Sequence, residues 1–269
     1  MNFESMKLKI GWLYPTLMST YGDRGNVICL QHRAWERKIE AYVTHLDQNA
    51  SADEFQSVDL FVGGGAQDRQ QEIVMRDLRG EKAHALRQQI EAGTPGVFTC
   101  GSPQLLGHYY EPAFGQRIEG LGLFDLVSEH PGAEAPRCIG NVAFEVSAFP
   151  IAEELKAMLG TTPIVIGFEN HGGRTYLGEA ECFGRVMRGY GNNGEDGKEG
   201  AFYRHAIATY SHGPLLPKNP FLADWLIQTA LRQKYQISVS LAQLDDSLAM
   251  SAREAMLKRL GLTTVGNTP

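Results

Sequence analysis

The run GVFTCGSPQLLG, residues 96–107, ends a short apolar stretch on a cysteine and follows it at once with Gly101, Ser102 and Pro103. A thiol at a strand-to-helix turn faces the free N–H groups and the dipole of the helix behind it, which favour a thiolate. Gly101 leaves room for a carbonyl, and its N–H is placed to receive an oxyanion, so Cys100 reads as a nucleophile on a sharp elbow. The other reading is an inert cysteine buried at a strand end, a common state of free cysteines. His212, in TYSHGPLLPKNP, follows a second apolar run and is the residue type that serves a thiol as general base. Its alternative is a loop histidine that only hydrogen-bonds. His171 in FENHGGRT is a rival base, itself open to the reading of a turn histidine packed by Asn170. Glycines 63–65 allow close backbone approach and supply N–H donors. No Gly-Lys-Thr/Ser follows them, which excludes a P-loop. They are either turn glycines or an oxyanion donor beside Cys100.

These groups need a scaffold that brings strand ends together. LKIGWLYP (8–15), IEAYVTHL (39–46), VDLFVGGG (58–65) and PGVFTC (95–100) read as strands, the first, third and fourth buried. NVICLQHRAWERK (26–38) has helical spacing at Val27, Ile28, Leu30, Ala34 and Trp35, and Gly22, Asp23 and Gly25 before it supply turn and cap chemistry. Residues 69–92 read as helix broken near Gly80, and 104–110 as a further helix. This alternation favours a parallel sheet covered on both faces, whose ligands sit beyond the carboxyl ends of the strands. Gly63–Gly65, Cys100 and His212 all fall at such ends.

From about residue 117 the texture changes. Strand-like runs at 117–127, 137–147, 162–178 and 182–191 are separated by Gly-rich turns, and 191–201 is a polar loop. A last strand is expected within 205–220. Residues 221–235 form an amphipathic helix with Phe221, Leu222, Trp225, Leu226 and Ala230 on one side. The tail 239–261 is also helical, with GLTTVGNTP expected to fray. No internal repeat or linker is visible. The expected division is one domain over 1–235 and a C-terminal helical tail over 236–269, with an α/β fold: a mostly parallel sheet flanked by helices, a more β-rich C-terminal half and a helical tail.

Composition narrows the function classes. The chain has 269 residues, 43% hydrophobic and 21% charged, with a formal net charge of −6 and no dense Lys/Arg run, which argues against nucleic acid as a partner. The four cysteines, Cys29, Cys100, Cys138 and Cys182, are scattered without a CxxC pair, so no structural zinc site and no metal ligand set is expected. Neither a secretory h-region nor a membrane-spanning apolar stretch is present, so a cytoplasmic setting without membrane insertion is the expectation.

FTCGSPQLLG resembles the motif Cys-Gly-x-x-Gln-x-x-Gly of triad-type (class I) glutamine amidotransferases, in the cobyric-acid-synthase-like branch. With FVGGGAQDRQQ, GFENHGGRTYLG, GYGNNGEDGKEG and YSHGPLLPKNP, the resemblance narrows to the GatD-type glutaminase subunits of bacterial lipid II isoglutaminyl synthases. It runs from about residue 8 to 235. Such a subunit hydrolyses L-glutamine to glutamate and ammonia. It works as a heterodimer with a MurT-like Mur ligase subunit, which amidates the D-glutamate of the lipid II stem peptide. The resemblance implies Cys100 as nucleophile and His212 as base, Gly65 and Gly101 at the oxyanion hole, and Arg137 on the glutamine α-carboxylate. Gln104, on the substrate side, steadies the nucleophile turn. It implies no cofactor on this chain, with ATP and Mg²⁺ belonging to the partner.

Two departures stand out. The family often reads Cys-Gly-Gly-Tyr-Gln where this chain has Cys-Gly-Ser-Pro-Gln, and Pro103 suits the first turn of a helix, where no N–H is needed. Other triad amidotransferases read His-x-Glu where this chain has His212-Gly213-Pro214. The acid that orients the imidazole therefore comes from elsewhere in the chain, from the partner, or not at all, and weak hydrolysis before the partner docks would follow. The alternatives are a cobyric-acid-type or other amidotransferase, another thiol hydrolase of this fold, or a non-catalytic docking subunit. The cobyric-acid type carries an ATP-using domain for which 269 residues leave no room.

Overall fold

Leu60–Gly63 and Gly96–Thr99 are buried at every position, the pattern of strands covered on both faces. The computed structural model describes residues 6–20 and 22–262. Strands and helices alternate first: β1 (Lys7–Leu13), α1 (Arg24–Trp35), β2 (Glu40–Leu46), α2 (Ala52–Gln56), β3 (Leu60–Gly63), α3 (Asp68–Asp77), α4 (Glu81–Glu91), β4 (Gly96–Thr99) and α5 (Gly101–Leu106). A strand-rich part follows: β5 (Tyr109–Glu111), β6 (Ile118–Glu119), β7 (Leu126–Glu129), β8 (Cys138–Val146), α6 (Ile151–Leu159), β9 (Ile164–His171), β10 (Arg174–Leu177), β11 (Gly184–Arg188), β12 (Lys198–Glu199), β13 (Ala201–Tyr203) and β14 (Ala206–Thr209). Helices α7 (Leu215–Lys218), α8 (Pro220–Tyr235) and α9 (Ser247–Arg259) complete it.

The central sheet has six strands in the order β13-β14-β4-β3-β1-β2. All neighbours are parallel except the edge pair β13–β14. The chain moves from β1 outward to β2, then back across to β3 on the other side of β1. The strand order therefore reverses between β1 and β3, which opens a crevice at their carboxyl ends. Two four-stranded sheets, β10-β7-β5-β6 and β12-β11-β8-β9, are built from the later strands. Among the described residues no helix is long and apolar enough to cross a membrane.

The expected α/β architecture with a β-rich later half is what the chain adopts, and the helix break falls at Gly80, at φ 56° between α3 and α4. Other elements differ from expectation. The helix expected over 104–110 starts at Gly101 and ends at Leu106, because His108 donates to Leu126 O at 2.8 Å and draws the chain into a sheet. Helices α2 and α6 lie outside the expected elements, although Ser51 and Glu54 form a complete capping box and Gly160 closes α6 at φ 68°. In α1, Val27, Leu30 and Ala34 turn inward while Ile28 and Trp35 are exposed. Helix α8 is buried nearly all round rather than on one side. The tail is helical over Ser247–Arg259 rather than from 239, and the part of the expected frayed end at 263–269 lies outside the described residues.

An ion cluster fastens the tail to the body. Arg33 donates from Nε to Asp224 at 2.7 Å and from Nη1 to Asp246 at 2.6 Å, and Arg37 Nη2 reaches Asp224 at 2.7 Å. Arg37 Nε also holds Ala242 O at 2.7 Å. Both guanidiniums are buried, so removing the shared carboxylate takes the ion-pair partner from Arg37 and leaves Arg33 with Asp246 alone. Asp224→Ala is expected to lower unfolding stability by about 3–5 kcal/mol, read from urea denaturation midpoints.

Candidate active site

Cys100 sits between β4 and α5 with φ 53° and ψ −102°, a backbone region that side-chain-bearing residues rarely enter. Such a residue costs roughly 1–3 kcal/mol, and the surroundings must hold it there. Its N–H donates to Thr209 O at 2.8 Å, the Thr99 hydroxyl donates to Gly63 O at 3.2 Å, and the Ser102 hydroxyl donates to Gly64 O at 2.7 Å. Ser102, one of the departures in the motif, is thus a tie between the elbow and the glycine loop. The contacts are too close for larger residues. A Cβ on Gly63 would stand 2.5 Å from Ser102 Oγ, and one on Gly101 would stand 2.9 Å from Ala66 N. Cys100 itself is only 9% exposed, and that opening leads into a cavity.

His212 follows β14 and is fully buried. Two backbone bonds to Phe168 fix it: its N–H donates at 2.7 Å and its carbonyl accepts at 3.2 Å. The turn before it is shaped by Glu199, which accepts from the Thr209 hydroxyl and from Tyr210 N. Burial, with Glu169 nearby, pushes the Glu199 carboxyl up to about 7. The imidazole lies between two partners. Cys100 is its neighbour on one side, with Cys100 Cβ and His212 Cε1 each 3.1 Å from the place a Cβ on Gly65 would take, and Asp23 Oδ1 is 3.2 Å from Nδ1 on the other. An ionised carboxylate only accepts, so Nδ1 carries the proton and Nε2 is left for the sulfur. Burial alone would pull the imidazolium down, but Cys100 and Asp23 outweigh it and hold His212 up at about 10.

The sequence pattern offers Asp23 as a cap for α1. Its side chain makes no cap hydrogen bond. Instead Oδ2 accepts the Gly65 N–H at 2.7 Å while Oδ1 faces His212. Gly65, expected at the oxyanion hole, therefore has its N–H committed to Asp23 rather than open to the cavity. Ala66 is the neighbour whose backbone meets Gly101 and whose side lines the cavity with Cys100.

The cavity holds about 280 Å³. Arg137 lines it from the start of β8, with Nε on Asn170 Oδ1 at 3.0 Å and Nη2 on Asn170 O at 2.9 Å. Gln104 also lines it, but both ends of its amide are engaged. Oε1 accepts from Gln71 at 2.8 Å and Nε2 donates to Tyr210 OH at 3.1 Å. The rival base His171 is a wall residue: it stacks on Tyr210 with ring centroids 3.7 Å apart, and Nδ1 bonds Gly173 O at 2.8 Å.

Residues 9–220 match the model of the CobB/CobQ-like glutamine amidotransferase domain. The GatD subunit of the glutamine-hydrolysing lipid II isoglutaminyl synthase of Staphylococcus aureus (strain N315) is 36% identical, over 90% of this chain and 91% of that protein. The corresponding subunit of Streptococcus pneumoniae (strain ATCC BAA-255 / R6) is also 36% identical, over 92% and 90%. This chain belongs to the CobB/CobQ-like glutamine amidotransferases, in the GatD group. In fold it is similar to the glutaminase domain of Trypanosoma brucei CTPS with bound acivicin, at a TM-score of 0.56 and 12% identity, over 88% of this chain and 97% of that one.

In this amidotransferase, Cys100, His212, Gly65 and Gly101 come together at the strand ends, and Arg137 and Gln104 lie in the wall of the same cavity. Asp23 is the residue the sequence reading missed in this role. Its signal was an aspartate in a Gly-rich turn after the first strand, a position equally suited to capping. Gly65 touches the whole constellation: a Cβ there would stand 3.1 Å from Cys100 Cβ, 3.1 Å from His212 Cε1 and 3.4 Å from Asp23 Oδ2. Gly65→Ala is expected to fold and to slow glutamine hydrolysis by roughly 10²-fold, measured as ammonia release, because the methyl wedges the sulfur and imidazole apart.

Proposed function

We propose that this chain is the glutamine-hydrolysing subunit of a lipid II isoglutaminyl synthase and that it runs on Cys100, His212 and Asp23. The geometry that carries the reading is the buried imidazole held between Cys100 and Asp23 at the floor of a cavity. The Cys100 thiolate attacks the side-chain amide carbon of L-glutamine. The N–H groups of Gly101 and Ala66 receive the oxyanion, a contribution of about 3–4 kcal/mol per donor in other hydrolases. His212, protonated and oriented by Asp23, gives its proton to the departing ammonia and leaves a thioester. A water deprotonated by His212 then releases glutamate and restores the thiol. Arg137 holds the α-carboxylate of the substrate, and Gln104 acts as a strut of the wall.

The ammonia passes to a Mur-ligase-like partner in a heterodimer. That subunit, using ATP and Mg²⁺, amidates the D-glutamate of the lipid II stem peptide on the cytoplasmic side. Asp23 supplies an orienting acid from within the chain, which removes the main ground for expecting weak hydrolysis before the partner docks.

Cys100→Ala is expected to abolish glutamine-dependent amidation by the complex while sparing amidation driven by added ammonium. Loss of both would make the cysteine structural. The pH profile tests Asp23. Proton donation to ammonia requires imidazolium, so kcat falls as pH rises through the His212 pKa. The Asp23 charge raises that pKa, so Asp23→Asn is expected to move the alkaline limb of kcat to lower pH by about one unit or more.

A further inference from the structure

One part of the cavity wall carries groups of both signs. Arg137 and Asp68 both line it. His130, also in the wall, is acted on electrostatically by Asp68 and in the opposite sense by Arg174 and Arg137, so the four side chains form one cluster. The two guanidiniums are pinned around Gly172: Arg174 Nη1 donates to Gly172 O at 2.9 Å and Nη2 to Pro136 O at 2.7 Å, while Arg137 is held by Asn170. Asp68, the first residue of α3, is half-buried. The buried Tyr110 hydroxyl donates to its Oδ1 at 3.1 Å and turns the carboxylate. Among the described residues no cationic side chain forms an ion pair with Asp68.

A cavity of about 280 Å³ suits one amino-acid-sized molecule. With the amide at Cys100, the far end of L-glutamine is a single carbon carrying a carboxylate and an ammonium. Arg137 answers the carboxylate. The ammonium needs acceptors, and Gln104 is poorly placed to serve because its Oε1 already takes the Gln71 N–H. We propose that Asp68, oriented by Tyr110, binds the α-ammonium of the substrate and so makes the site selective for an α-amino acid amide over a plain amide. The assignment rests on the glutaminase reading and names the part of the site that reads the substrate's far end. Asp68 is a specificity residue: it does not touch the reacting carbonyl, so its effect falls on binding.

The test compares L-glutamine with glutaramic acid, the same molecule without the α-amino group, as ammonia donors for the chain purified with its ligase partner. The wild-type complex is expected to favour L-glutamine in kcat/KM by roughly 10²-fold, the size of one charge-assisted contact. Asp68→Asn is expected to raise KM for L-glutamine with little change in kcat, to leave glutaramic acid nearly unaffected, and so to shrink the preference about tenfold or more. Asp68→Glu, which keeps the charge, restores a part of it. A parallel loss toward both compounds in Asp68→Asn, or an unchanged preference, would overturn the assignment while leaving glutamine hydrolysis intact as the function. Failure of the wild-type complex to release ammonia from L-glutamine would overturn the glutaminase reading and this assignment with it.

Discussion

The carboxylate of Asp23 joins three strand ends. It belongs to the turn after β1, its Oδ2 accepts from Gly65 after β3, and its Oδ1 faces His212 after β14. Hydrogen bonds to a charged acceptor contribute about 1.5–3 kcal/mol each. That is the same order as the roughly 1–3 kcal/mol stored in the backbone of Cys100. The strained elbow after β4 persists because its neighbours are tied to one another as well as to it. Asp23 fixes the imidazole, the imidazole meets the sulfur, and Thr209 O and the glycine loop hold the elbow from either side.

Around this floor the later strands supply the walls. His171 from β9 stacks on Tyr210. The Tyr210 hydroxyl receives from Gln104 and bonds Thr175, which bonds Ser128 at 2.6 Å, so a buried polar chain runs from α5 to β10 and β7. Arg137 and Asn170 close the side nearest the paired β8 and β9. The division is physical. The parallel sheet sets the reacting groups, where small displacements are costly. The strand-rich part sets the groups that face the far end of a bound molecule. The tail, though distant in sequence, also acts on this arrangement: Arg253 on α9 bonds Asn219 Oδ1 at 2.9 Å, and Asn219 in turn clasps Ile166 and Leu215, next to the His212 turn.

Much of this was legible in the residues. The buried runs at 60–63 and 96–99, the helix break at Gly80 and the elbow at Cys100 follow from local rules of periodicity, glycine freedom and helix entry. The motif glutamine and the histidine after the last parallel strand were legible as well. The misreadings share a cause. Tyr109, Tyr110 and residues 239–246 fall in expected helices because local pattern says nothing about which strand or side chain the segment will meet. Gly65 was read as an open donor because its N–H partner lies 42 residues away. Helix α8 was read as one-sided because the pattern does not reveal that it is enclosed by α1, α6 and β3.

What the sequence determined by itself was the inventory and the local shapes: a thiol on a turn, glycines that permit close approach, an imidazole after a strand, and an alternation that commits the chain to a parallel sheet. These follow from sterics and hydrogen bonding over a few residues. What only the tertiary structure decided was the use of Asp23. Capping and triad service ask for the same residue type in the same kind of turn. The choice depends on which strand ends become neighbours when the sheet order reverses, and that brings together residues 189 positions apart.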